Sequence, residues 1–193
     1  MKDLVLNILE ENLRVKRSYI EDNIDNIIAA AEMIAACISG GHKLLIFGNG
    51  GSAADAQHLA AEFINRYKIE RPPLAAIALT TDTSVLTSIA NDYRFDDVFT
   101  KQIEALGMPG DIAWGISTSG NSANVVNAIQ AAKANGLKTI GMAGSGGELV
   151  KCADLAFSSN SDDTPRIQEA HITVGHMLCE LVERMLYPDK FEG

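Results

Sequence analysis

The stretch Lys43-Leu44-Leu45-Ile46-Phe47-Gly48-Asn49-Gly50-Gly51-Ser52 decides how the rest of the chain is read. Lys43–Phe47 is a continuous apolar run, too short for a helix. A run without polar alternation predicts a strand covered on both faces. The glycines then break the chain, and a helical pattern follows from about Ser52 to Tyr67. Strand, small-residue turn and helix together form the repeating unit of a parallel sheet. Ala75–Leu79 is a second strand candidate. Ile112–Ile116 is a third, followed by a small-polar loop and a helix over Ala123 to Asn135. Lys138–Met142 makes a fourth strand and Leu155–Phe157 a short fifth, before a last helix from about Pro165 to Leu186. The pattern predicts an α/β fold: a five-stranded parallel sheet flanked by helices in a flavodoxin-like, three-layer arrangement.

Upstream, the pattern has helical spacing. Leu4, Ile8, Leu9 and Leu13 recur with Glu10, Glu11 and Arg14 between them. A second stripe, Ile24, Ile27, Ile28, Ala31, Ile34, Ala35 and Ile38, closes at Gly40-Gly41. Residues 1–40 are thus expected to be a two-helix arm. It is too short to hide its own stripe, so it should pack on the sheet or on a neighbouring subunit. No linker or low-complexity segment divides the 193 residues, and one domain is expected.

Composition narrows the function. A formal net charge of -9 argues against wholesale binding to nucleic acid or an anionic membrane, but leaves room for a local anion pocket. No apolar run approaches the roughly 20 residues of a membrane span, and no secretory signal is visible. Cys37, Cys152 and Cys179 show no paired spacing, which fits buried thiols in a reducing cytoplasm.

In an open parallel sheet, ligands bind beyond the carboxyl ends of the strands. Two turns qualify here. In Ile116-Ser117-Thr118-Ser119-Gly120-Asn121-Ser122, four hydroxyls surround a glycine where a helix begins. Hydroxyls with free N–H groups at a helix start suit a phosphate; the same residues would also make a solvent-facing N-cap. The turn is neither a P-loop nor a dinucleotide fingerprint. In Gly48–Ser52, flexible backbone and the Asn49 amide suit sugar hydroxyls and a carbonyl, or simply join a strand to a helix.

His58 and Glu62 lie four apart on one helical face. The last helix carries Gln168, Glu169, His171 and His176. Gln168 and His176 are separated by about 12 Å of rise, so they could meet one atom only at full reach or across a subunit boundary. HxxxE is half a metal site, and a surface ion pair is the alternative. His42, beside two glycines, is expected in an exposed turn. His171 lies about 140° around the helix from His176, which assigns it to a supporting or interface position.

The runs Gly48–Ser52, Ala90-Asn91-Asp92, Ile116–Ser122 and Arg166-Ile167-Gln168-Glu169 together resemble the phosphoheptose isomerases of the sugar isomerase (SIS) fold. The resemblance covers essentially the whole chain. It implies a homotetramer with sites at subunit interfaces, and interconversion of sedoheptulose 7-phosphate and D-glycero-D-manno-heptose 7-phosphate. It implies zinc on His58, Glu62, Gln168 and His176, and phosphate on Ser117, Thr118, Ser119 and Ser122. Asn49, Gly50, Gly51, Ser52, Asn91, Asp92 and Gln168 would hold the rest of the substrate. An enediol route needs a base and an acid; by resemblance these are Glu62 and His176. Some relatives carry an acidic residue where this chain has Pro165, so Asp162 and Asp163 stay outside the catalytic set. A second class with this fold, a noncatalytic scaffold for the chromosomal replication initiator, resembles the chain over Ser52–Arg71, Thr87–Asp92 and the tail before Pro188. That class lacks counterparts of Glu62 and His176, and this chain has both.

Overall fold

The computed structural model describes residues 1–191. Five strands form one parallel sheet: β1 Leu44–Gly48, β2 Ala76–Ala78, β3 Ile112–Ser117, β4 Lys138–Ala143 and β5 Leu155–Phe157. Their order is β2-β1-β3-β4-β5. From β1 the chain crosses to β2 on one side, and β3 then restarts on the other. The carboxyl ends of β1 and β3 therefore flank the switch point where such sheets open a crevice. Gly48 pairs with Ile116 there, so the two turns singled out from sequence begin side by side.

The continuous apolar runs are explained by burial on both faces. Leu44, Leu45, Ile46 and Phe47 are fully buried. Leu44 and Ile46 face one core with Trp114 and Ile140, while Leu45 and Phe47 face the other with Val98, Phe99 and Val125. Each such side chain contributes roughly 1.5–3 kcal/mol by leaving water. On the first face lie α2 (Ile24–Ser39), α3 (Gly51–Ile64) and α8 (Thr164–Leu186). On the second lie α5 (Thr100–Leu106), α6 (Ala123–Ala134) and α7 (Glu148–Cys152).

The arm consists of α1 (Lys2–Glu21) and α2, both packed on α8. Val15 and Tyr19 are buried, whereas Leu4, Val5, Leu6, Ile8, Leu9 and Leu13 remain exposed along the first half of α1.

Three helices went unforeseen, because none carries a long apolar period. α4 (Thr83–Asp92) buries no residue and is started by the Asp82 carboxylate, which accepts from Val85 N–H at 2.9 Å. α5 and α7 are only seven and five residues long. α3 stops at Ile64 rather than running to Tyr67.

Candidate active site

The serine turn is held by the loop after β4. Gly144 N–H donates to the Thr118 carbonyl at 2.9 Å, and Leu149 N–H to that of Gly120 at 2.9 Å. Glu148 N–H donates to Asn121 Oδ1 at 3.0 Å. Gly120 takes φ +65, and a Cβ there would run into the Gly146 carbonyl group, so only glycine fits this crossing. Ser117 Oγ lies 2.9 Å from Ser122 Oγ and 3.4 Å from Ser119 Oγ. Ser117 is buried, Thr118 and Ser122 are half-buried, and Ser119 is exposed. Three hydroxyls thus cluster at the start of the twelve-residue helix α6.

The glycine turn is built differently from its sequence expectation. The Asn49 and Asn124 amides pair reciprocally, each donating to the other at 2.9 Å. Asn49 is therefore fixed to α6 with part of its hydrogen-bonding capacity already used. Asn124, buried and absent from the sequence reading, ties the two turns together. Gly50 takes φ +55 at the start of α3, and Ser52 is buried behind Gly48. A cavity of about 180 Å³ opens beside the turn, lined by Gly48, Asn49, Gly50, Thr80 and Phe95. Asn91 and Asp92 are exposed at the end of α4, where Asn91 donates to Asp92 at 2.8 Å. Among the described residues neither bonds to the two turns.

α3 and α8 run side by side in the same direction. Gln168 packs on Gly51 at their starts, and Leu59 packs on Gly175 farther along. A Cβ at 175 would come within 2.6 Å of Leu59, so the missing side chain lets the helices approach. His58 and His176 meet across this contact, Nε2 to Nε2 at 2.8 Å, and His58 Nε2 lies 3.4 Å from Glu62 Oε1. Burial first, then the neighbouring His58, hold His176 below the usual imidazole range, against the pull of Glu62. Tyr67 stacks on the His176 ring with centroids 5.4 Å apart.

Donor atoms of His58, Glu62 and His176 all lie within 4.8 Å of one another. Two imidazole nitrogens and a carboxylate, with His176 biased to its neutral form, are a donor set that fits zinc with a position left open. Gln168, the fourth residue expected there, is turned toward Gly51.

The remaining titratable groups stand apart from this cluster. His171 is fully buried, bonded through Nε2 to the Ala143 carbonyl at 3.1 Å. His42 is half-buried, 3.7 Å from Asp111. Asp162 accepts from the Ser145 hydroxyl, and Asp163 precedes α8. Asp55, one turn before His58, has a buried Oδ2 without a partner, and burial raises its carboxyl to about 6. All three cysteines are free; Cys37 and Cys179 are buried and Cys152 is half-buried. Burial pushes the Cys37 thiol up to about 11 and that of Cys179 further.

The parallel sheet, its switch-point turns and the arm of two helices define a SIS-domain protein, and a family model described as SIS domain matches residues 9–144. A phosphoheptose isomerase of Thermodesulfovibrio yellowstonii is 55% identical over 188 residues, 97% of this chain and 94% of the relative. A solved phosphoheptose isomerase from Neisseria gonorrhoeae superposes with a TM-score of 0.89 at 42% identity, covering 94% of this chain and 98% of that one. One from Francisella tularensis gives 0.90 at 35% identity, over 94% and 97%. The chain belongs to the phosphoheptose isomerase family of sugar-phosphate isomerases.

Proposed function

We propose that the protein converts sedoheptulose 7-phosphate to D-glycero-D-manno-heptose 7-phosphate through an enediol. The carrying observation is the convergence of His58, Glu62 and His176 from two helices, in a chain whose relatives are named phosphoheptose isomerases. The phosphate sits on Ser117, Thr118, Ser119 and Ser122 at the start of α6, where the helix dipole favours an anion. Asn49, Gly50, Gly51, Ser52, Asn91, Asp92 and Gln168 hold the sugar chain.

Glu62 takes the proton from C1 of the ketose while the C2 oxygen gains one, giving the enediol. Return of a proton to C2, with loss of one from the C1 oxygen, completes the aldose. Glu62 Oε1 faces His58, so Oε2 is the oxygen we assign to the carbon-bound proton. A neutral His176 keeps one ring N–H to donate to a substrate oxygen while its other nitrogen serves as a ligand. Zinc held by His58, Glu62 and His176, with Gln168 as fourth ligand, would stabilise negative charge on the oxygens.

Besides the exposed apolar face over the first half of α1, Ile20 near its end lines an apolar groove of about 240 Å³ with Ile24, Ile28, Met177 and Leu181. Covering these apolar surfaces by further copies of the chain, in a homotetramer, is part of the proposal, as is a cytoplasmic location. Among the described residues no helix is long and apolar enough to cross a membrane. The scaffold alternative gains no support, since the relatives named above are isomerases.

The test is turnover of sedoheptulose 7-phosphate by purified, zinc-supplied protein, followed by NMR of the sugar. Appearance of the aldose heptose phosphate supports the proposal; an inert protein ends it.

A further inference from the structure

Glu183 and Arg71 form an ion pair in which each side chain is only 1% exposed, Nε to Oε1 at 2.9 Å. Oε1 also accepts from Tyr67 N–H and Oε2 from Lys68 N–H, both at 2.9 Å. Arg71 reaches onward: Nη1 donates to the Phe63 carbonyl and Nη2 to the Glu62 carbonyl, both at 2.8 Å. These belong to the last turn of α3, whose carbonyls have no partner within the helix. A guanidinium there caps them and meets the negative end of the helix dipole. The pair thus fastens the backbone of Glu62, the loop at Tyr67 and helix α8 in one node.

The node ends on the proposed reacting group. Tyr67, its N–H fixed by Glu183, lays its ring on His176 with an interplanar angle of 27°. His176 meets His58, and the carbonyl of Glu62 hangs on Arg71. Burying two charges gives little net stability over apolar packing, because desolvation offsets their attraction. Stability alone is a poor reason for this pair, and geometry is a better one.

We propose that Arg71, Glu183 and Tyr67 are positioning residues for His58, Glu62 and His176: the ion pair sets the end of α3 and the Tyr67 ring, and that ring sets the imidazole of His176. The inference rests on reading those three residues as the reacting centre.

Tyr67→Leu removes the ring and leaves the ion pair. It should fold and lower kcat on sedoheptulose 7-phosphate about tenfold, the low end for groups that orient metal-ligating residues. KM should stay within about twofold, and Tyr67→Phe should restore the rate. Glu183→Gln is read in metal-free protein by NMR. The His176 ring protons, which lie against Tyr67 in the wild type, should move toward their positions in Tyr67→Leu. If Glu183→Gln does not fold, Arg71→Lys is read in the same way. A Tyr67→Leu enzyme with wild-type kcat overturns the proposal. So does a folded Glu183→Gln or Arg71→Lys whose His176 ring protons have not moved. A wild type that ignores heptose phosphate refutes the substrate reading but leaves the ring-proton comparison standing, so the two failures are separable.

Discussion

His171 sits under β4, with its Nε2 on the Ala143 carbonyl and its Nδ1 buried without a partner. Tyr19 meets the ring edge-on and donates to the same carbonyl at 3.2 Å. Burial lowers the imidazole from 6.5 to about 4, opposed by the bond to Ala143. In the unfolded chain the ring takes its proton near the ordinary value, and in the folded one it resists until about pH 4. The neutral ring's contribution is therefore intact above about pH 6.5 and lost as pH falls toward 4. At about 1.4 kcal/mol per pH unit, the whole loss is about 3 kcal/mol. His171→Phe keeps an aromatic ring, though a larger one, leaves Ala143 to Tyr19 and removes the titration. Urea unfolding at pH 7 and pH 4.5 should show the wild type losing about 2 kcal/mol more than the variant. Asp55, raised to about 6 by burial, works with the opposite sign over much of the same window. The variant therefore serves as the reference, in place of the wild-type slope alone. Equal losses in the two proteins would refute the argument.

Two further changes probe the serine turn. Gly120→Ala forces a left-handed backbone worth about 1–2 kcal/mol onto alanine and drives its Cβ into the loop at Gly146. It should lower the urea midpoint and weaken inhibition by inorganic phosphate. Ser122→Ala removes one hydroxyl of the cluster; losing a hydrogen bond to a charged group costs about 1.5–3 kcal/mol. KM and the phosphate inhibition constant should therefore both rise at least tenfold, with kcat held, in steady-state kinetics.

The sheet was legible because double-sided burial writes itself as unbroken apolar runs, and Leu44–Phe47 and Ile112–Ile116 are strands over those residues. The edge strand β2 is shorter than its apolar run, and Ile77 is exposed. α4 is hard to read because its apolar stripe is short, with Leu86, Ile89 and Ala90 only half-buried against the second core. α3 ends three residues before the Tyr67 that its pattern predicts: the stop at Ile64 is secured by Arg71 and Glu183, more than a hundred residues apart in sequence. In the site, the His58–Glu62 pair follows from four-residue spacing alone. The partner His176 depends on Gly175 admitting Leu59, and the orientation of Asn49 depends on Asn124, seventy-five residues away. Such long-range contacts leave no local period. Family resemblance supplied the roles of Gln168, Asn91 and Asp92, and spacing could not have done so.

The most direct test of the central claim, that Glu62 removes the C1 proton and, after exchange with solvent, returns one to C2, is isomerisation of sedoheptulose 7-phosphate in deuterium oxide. Wild type and Glu62→Gln are compared, with the product read by NMR. The account predicts aldose carrying deuterium at C2 from the wild type, and product slowed by at least about a hundredfold in the variant, the lower bound for losing a general base. Aldose formed by Glu62→Gln at the wild-type rate would contradict it.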